Sequence, residues 1–271
     1  MEIKRIALIG CGAIGTVIAK SIDDGTVPAE LVVVMDKVAG AAESLAAMLD
    51  PKPKIVNSIE ELIESNAQVV VEAASQEAVR GYAESILASG KDLVVMSIGA
   101  LLDKELRRRL TDAAQRTQTR MYIPSGAIGG IDAIGALGLV GIVGIVLTVR
   151  KNPKGLSVYL NDQGIDPRGI TQPRVLYEGD VETAVKLFPA NVNVAASLAL
   201  ASNSEVKVRV VADPSLERNV HEIEVISNPS NLRLRFENLP HPDNQKTSFL
   251  AALSVVRLLQ RIAGEELQVG T

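Results

Sequence analysis

The chain has 271 residues, 47% of them hydrophobic and 22% charged, with a formal net charge of −4. That is enough for one large or two modest soluble domains with a sizeable core. A slightly acidic chain with no Trp and 3% aromatic residues lacks the basic face and stacking surface of a nucleic-acid binder. One cysteine excludes an internal disulfide, so nothing points to an oxidising compartment.

Lys4-Arg5 before Ile6–Ile9 faintly resembles a leader, but glycine breaks the run at once and the residues read as a first strand. The uncharged stretch Ala133–Val149 is 17 residues long with four internal glycines. It is short of the roughly 20 apolar residues that span a bilayer. It reads as a small-residue helix turning into a buried strand, and the protein is expected to be cytoplasmic and away from membranes.

The opening strand Arg5–Ile9 runs into Gly10-x-Gly12-x-x-Gly15, followed by a helical pattern from Ala13 to Ile22 and a second apolar run, Leu31–Met35, ending at Asp36. Glycines at this spacing allow a tight turn, a close backbone approach to a pyrophosphate and close helix–strand packing. Free N–H groups at the helix start, Ala13 and Ile14 among them, face the anion, and the acid accepts hydrogen bonds from ribose hydroxyls. The order strand, glycines, helix, strand, acid predicts a bound dinucleotide.

Further strands are predicted at Gln68–Ala73, Asp92–Ser97 and Arg120–Ile123. Helices fall at Ala39–Leu49, Ile59–Glu64, Glu77–Ala88 and Lys104–Gln115. Ser58 and Glu61 suit a capping box. Continuous apolar strands alternating with helices predict a parallel, doubly wound sheet over residues 1–124. After Ser125 the strands Leu147–Val149, Lys207–Val210, Glu222–Val225 and Leu232–Phe236 alternate apolar with polar residues, the period of a half-buried antiparallel sheet. An α+β domain is therefore expected over 125–245, with helices Val181–Leu187 and Val192–Ala201. A last helix, Ser248–Ile262, should complete the first domain, which then includes 246–271.

Ligands in open parallel sheets bind beyond the carboxyl ends of the strands. That singles out Ala73, Ala74 and Ser75 after one strand, Gly99 after the next, and Pro124–Gly130 at the domain junction. There are two histidines. Alternation puts His221 on one face with Ile223 and Val225, either as a hydrogen-bonded core residue or as an acid/base. His241, between two prolines, reads as a surface turn. Asn244–Ser248 reads as an anion seat at a helix start or as ordinary capping. Arg150-Lys151 reads as a solvated cationic pair. One Cys and two distant His make no usual zinc site.

Four segments together resemble the L-aspartate dehydrogenases: Gly10–Gly15, Ser125–Ala133, Phe188–Ala196 and Asn244–Leu253. Glu72–Ser75 and the His221 segment fit the same pattern, so the likeness spans the chain; Gln245 stands where that pattern has proline. The resemblance implies oxidation of L-aspartate by NAD or NADP to iminoaspartate, which hydrolyses to oxaloacetate and ammonia. It also implies a role in NAD biosynthesis and a homodimer built through the second domain. By motif position it assigns catalysis to His221 and cofactor contacts to Ala127 and Asn191. Substrate carboxylates are then expected at Asn193, Lys246, Thr247 and Ser248. The rival readings are another two-domain dehydrogenase, of the dihydrodipicolinate reductase or homoserine dehydrogenase type, and a nucleotide sensor without turnover.

Overall fold

A computed structural model describes residues 3–189, 193–241 and 244–264, with side chains from Thr247 onward in the last group. Two compact units divide at Pro124/Ser125, and residues 252–264 belong to the first.

The first unit alternates strand and helix: β1 (Lys4–Ile9), α1 (Ala13–Asp23), β2 (Ala29–Met35), α2 (Ala39–Ala46), β3 (Lys54–Ile55), α3 (Ile59–Ile63), β4 (Val69–Glu72), α4 (Gln76–Ala88), β5 (Asp92–Val95), α5 (Lys104–Thr117) and β6 (Met121–Tyr122). The strands form one sheet in the order β3-β2-β1-β4-β5-β6, parallel at every pairing. This is the doubly wound dinucleotide-binding topology, with its switch point between β1 and β4. Both faces are covered, which is why β4 and β5 read as unbroken apolar runs: Val69, Val70, Val71, Leu93, Val94 and Val95 are all at most 1% exposed.

The second unit contains α6 (Ile131–Gly138), β7 (Ile142–Lys151), α7 (Ser157–Asp162), β8 (Arg174–Gly179), α8 (Val181–Leu187), α9 (Asn193–Ser202), β9 (Val206–Ala212), β10 (Asn219–Ser227), β11 (Leu232–Asn238), β12 (Pro240–His241) and β13 (Asn244–Ser248). Its main sheet runs β11-β10-β7-β9-β8. Three pairings are antiparallel and one, β7 with β9, is parallel. The fold class expected from the two periodicities, a parallel Rossmann sheet followed by a mostly antiparallel α+β unit, is the one observed. The final helix, α10 (Phe249–Ile262), crosses the boundary between the units. Near its end Gln260 donates to the Thr26 carbonyl at 2.8 Å.

Several local expectations change. Ala133–Val149 divides as predicted into helix and strand, but the start of β7 is open to solvent, with Val143 74% exposed. Arg174–Gly179, where no strand was expected, is the edge strand β8, whose pairing with β9 is interrupted by a register shift between Val175 and Tyr177. Asn244–Ser248 is a strand paired with β12 rather than an open helix start. Among the described residues no helix is long and apolar enough to cross a membrane.

Candidate active site

In the first unit the site is made of backbone at strand ends. Gly10 leaves β1 at φ +99°, and a Cβ there would stand 2.5 Å from the Ala73 carbonyl oxygen at the end of β4. A Cβ on Gly15 would stand 2.0 Å from the Gly10 carbonyl oxygen, so helix and turn pack at a spacing no side chain permits. Gly12 differs: nothing lies within 4 Å of where its Cβ would be. It is the N-cap of α1 with no side-chain capping bond and no acid in the first turn. The open space and the uncapped N–H groups of Ala13, Ile14 and Gly15 suit a pyrophosphate.

Asp36 follows β2. Its carboxylate accepts from the Cys11 N–H at 2.7 Å and from the Val38 N–H at 2.8 Å. One bond on each oxygen fixes the orientation and leaves lone pairs for ribose hydroxyls. Cys11 itself is buried, and that burial, with Asp36 alongside, pushes its thiol up to about 12. It stays protonated and packs as a small apolar residue.

Beyond β4, Ala73 and Ser75 are half-buried and Ala74 exposed, and the Ser75 hydroxyl caps α4 by accepting from the Ala78 N–H at 3.3 Å. Gly99 lies buried in the 3-10 turn after β5. Glu72, which the sequence pattern did not single out, locks these two strand ends together. It is 2% exposed, and its carboxylate accepts from the N–H groups of Ala74, Met96 and Ser97 and from the Ser97 hydroxyl at 2.8–3.2 Å. Burial raises its pKa, against the pull of those donors. It closes the run Val69–Glu72, and nothing in that run marks its last residue as a clamp.

In the second unit the site is one end of a sheet face. Paired residues point to the same side of a sheet, so the registers of β11, β10, β7 and β9 define rows on the inner face. One row is Leu234, Ile223, Leu147 and Val208. The next is Phe236, His221, Val149 and Val210. Continuing the register, the last is Asn238, Asn219, Lys151 and Ala212. The face passes from wholly apolar to largely polar within two rows. His221 and Lys151 are each 2% exposed. The Asn238 side-chain amide donates to the Ala127 carbonyl at 2.8 Å, and that of Asn219 to the Ser248 hydroxyl at 3.3 Å. The outer face carries ion pairs instead, half-buried for Arg150 with Glu222 at 3.0 Å and exposed for Arg235 with Glu237 at 2.8 Å.

His221 Nδ1 is buried and has no hydrogen-bond partner among the described residues. Burial first, then the charge of Lys151, pulls the imidazole down to about 3. Burial alone pulls Lys151 down to about 7. The expectation of a solvated Arg150-Lys151 pair therefore fails for the lysine. The alternation that places His221 inward through Ile223 and Val225 equally places Lys151 inward through Leu147 and Val149.

His241, expected at the surface, is 3% exposed and its ring stands edge-on to Phe249 with centroids 5.5 Å apart. The β12–β13 pairing draws it in. The first N–H of α10, that of Phe249, donates to the Leu239 carbonyl at 3.0 Å, so it cannot serve an anion. Ser248 is buried, Thr247 half-buried, and Asn193 opens α9 half-buried. The Lys246 side chain and all of Asn191 lie outside the described residues. Among those residues no cluster of His, Cys, Asp or Glu could hold a metal ion.

Comparison with known proteins narrows the class. The family profile "Aspartate dehydrogenase, C-terminal" matches residues 132–262. Named L-aspartate dehydrogenases from Methanosarcina barkeri and Methanocaldococcus jannaschii are 44% and 43% identical to this chain, over 98% of it and 99% of each relative. The chain belongs to the aspartate dehydrogenase family. The Nitrosopumilus maritimus L-aspartate dehydrogenase is 40% identical over 99% of this chain and 100% of its own. The crystal structure of aspartate dehydrogenase from Thermotoga maritima superposes with a TM-score of 0.79 at 27% identity, covering both chains completely.

The first unit carries the second profile match, over residues 10–124, to the homoserine dehydrogenase NAD-binding domain. That match lies in the nucleotide unit, while the aspartate dehydrogenase profile covers the polar rows. GenD2 from gentamicin A biosynthesis, in complex with NAD, superposes at a TM-score of 0.57 and 13% identity, over all of this chain and 89% of its own. At that identity it speaks for the fold alone.

Proposed function

We propose that this protein oxidises L-aspartate to iminoaspartate with NAD as hydride acceptor, and that the imine hydrolyses to oxaloacetate and ammonia. The observation that carries this reading is His221, a neutral imidazole buried beside Lys151 with Nδ1 unsatisfied among the described residues. A buried polar atom of that kind costs stability unless a ligand meets it.

The cofactor fits the first unit on three counts. The space over Gly12 is empty of protein, α1 begins uncapped, and the Asp36 carboxylate is oriented at the end of β2. Gly10, Gly12, Ala13, Ile14 and Gly15 would hold the pyrophosphate and Asp36 the adenosine ribose. Ala73, Ala74, Ser75 and Gly99 would line the path toward the nicotinamide, and the family resemblance adds Ala127 and Asn191 as cofactor contacts. When bound, the nicotinamide would supply an acceptor for a hydride, a proton with its two electrons.

The residues of the chain do the rest. An amine can expel a hydride from Cα only with its nitrogen lone pair free, so the ammonium must first lose a proton. His221 would take that proton, and the lone pair then forms the C=N bond as the Cα–H bond breaks. Asn193, Thr247 and Ser248, with Lys246, would orient the substrate carboxylates.

Asp36 favours NAD, because a 2′-phosphate would meet a carboxylate; Lys37, exposed beside it, leaves NADP as a second acceptor. A homodimer through the second unit would cover Leu139, Val140, Val143 and Ile226, which are 55–87% exposed. A cytoplasmic enzyme supplying iminoaspartate to NAD biosynthesis completes the reading. The test is reduction of NAD and of NADP, followed by absorbance, on a panel of aspartate, homoserine and other amino acids. Aspartate alone should drive it, with NAD preferred. Cofactor binding without turnover on any of them would favour the sensor instead.

A further inference from the structure

We propose that the buried Glu72 carboxylate is a fixed counter-charge for the nicotinamide ring, so that the protein favours oxidised cofactor over reduced. The inference rests on the reading of the first unit as an NAD site. It gives a task to a buried charge that the binding account leaves unused.

Glu72 is the last residue of β4, paired with Ile9 of β1 on one side and Val95 of β5 on the other. It therefore stands mid-sheet at the carboxyl edge, where ligands of this topology bind. Both of its oxygens are engaged, and by donors. One accepts from the Ala74 N–H and the Ser97 hydroxyl, each at 2.8 Å. The other accepts from the N–H groups of Met96 and Ser97 at 3.2 and 3.0 Å. Ala74 is exposed and Ser97 half-buried, so groups that cover the carboxylate themselves reach the surface of the strand ends.

The three N–H groups can only donate, which favours the ionised carboxyl against the burial that pushes its pKa up. Among the described residues of the first unit, the buried charged side chains are Glu72 and Lys91. Lys91 precedes β5, at the opposite end of these parallel strands, and donates to the carbonyls of Ser65 and Ala67 at 2.8 and 2.7 Å. Asp36, half-buried past β2, belongs to the adenosine side. The nicotinamide path thus runs over a carboxylate held by neutral peptide groups.

The ring beyond these strand ends is cationic when oxidised and neutral once it has taken a hydride. A carboxylate kept out of water acts on such a charge more strongly than one in solvent. Glu72 therefore distinguishes the two redox states, which a cradle of N–H groups does not. It favours loading of oxidised cofactor and departure of the reduced form after turnover.

Calorimetric titration of the protein at pH 8 with NAD and, separately, with NADH tests this in the absence of aspartate. Wild type should bind NAD at least as tightly as NADH. Glu72→Gln, which keeps the shape and removes the charge, should lower the preference for NAD by about 10-fold or more. Ser97→Ala removes one hydrogen bond and leaves the charge, so its preference should stay within about twofold of wild type. Proportionate weakening of both cofactors in Glu72→Gln, or an equal loss of preference in Ser97→Ala, identifies a structural clamp alone and overturns the proposal. NADH bound more tightly than NAD by wild type also overturns it, and that comparison decides the matter if Glu72→Gln does not fold. A wild type that binds neither nucleotide overturns the cofactor reading as well, a result distinct from binding of both with an unmoved ratio.

Discussion

The nucleotide end of the first sheet and the polar end of the second are built from opposite materials. At the first, chemistry is done by main chain: Gly10, Gly12 and Gly15 matter for the side chains they lack, and Glu72 and Asp36 spend their carboxylates on N–H groups. At the second, side chains do it, and His221, Lys151, Asn219 and Asn238 stand on a face whose neighbouring rows are apolar. A main-chain site tolerates burial because its peptide groups carry no net charge and its carboxylates are met by N–H donors. The side-chain site holds two bases under desolvation, which pulls both toward the neutral form. The division teaches that binding and proton transfer can be damaged separately.

The largest expected effect is on turnover. Replacing His221 by Ala should lower kcat for aspartate by about 10²–10⁴-fold, measured as initial rates of NADH formation. At the other end, Asp36→Ala should weaken NAD by roughly 10- to 100-fold through loss of charged hydrogen bonds, with a smaller change for NADP; calorimetric titration with each cofactor reads the difference. Gly15→Ala puts a Cβ against the Gly10 carbonyl and should cost about 1–3 kcal/mol of stability, visible in the denaturant midpoint.

A smaller effect sharpens the contrast in electrostatics. Lys151 titrates at about 7 in the folded protein and at about 10.4 unfolded. Between those values the unfolded chain binds more protons, so this residue makes stability rise with pH from about 7 to 10. Below 7 its cost is fully present. Lys151→Met should therefore gain stability over wild type at pH 6.5 and lose most of that advantage by pH 9.5 in parallel thermal melts. The smallest change expected is Ser75→Ala, about 1 kcal/mol from a lost helix cap.

Legibility followed the same divide. The parallel sheet and the glycine turn were readable because continuous apolar runs and three glycines at fixed spacing have few other uses. The two-residue strands β3 and β12 carry no period to read. His221 was readable from alternation, and Lys151 lay within reach of the same argument. A terminal Arg-Lys pair defaults to solvent only until the alternation is carried two residues past Val149. Asn244–Ser248 misled because a short ladder to β12, invisible in composition, turns a capping motif into a strand. His241 was misjudged for the same reason. Glu72 was hidden since its partners, Met96 and Ser97, come from the neighbouring strand end.

The central claim is that cofactor binding and proton transfer belong to different surfaces of this chain. The most direct measurement is NADH binding and aspartate turnover by the same His221→Ala protein. The account predicts a dissociation constant equal to that of wild type beside turnover lowered at least about 100-fold. A variant that turns over aspartate at the wild-type rate, or one that loses NADH and turnover in proportion, would contradict it.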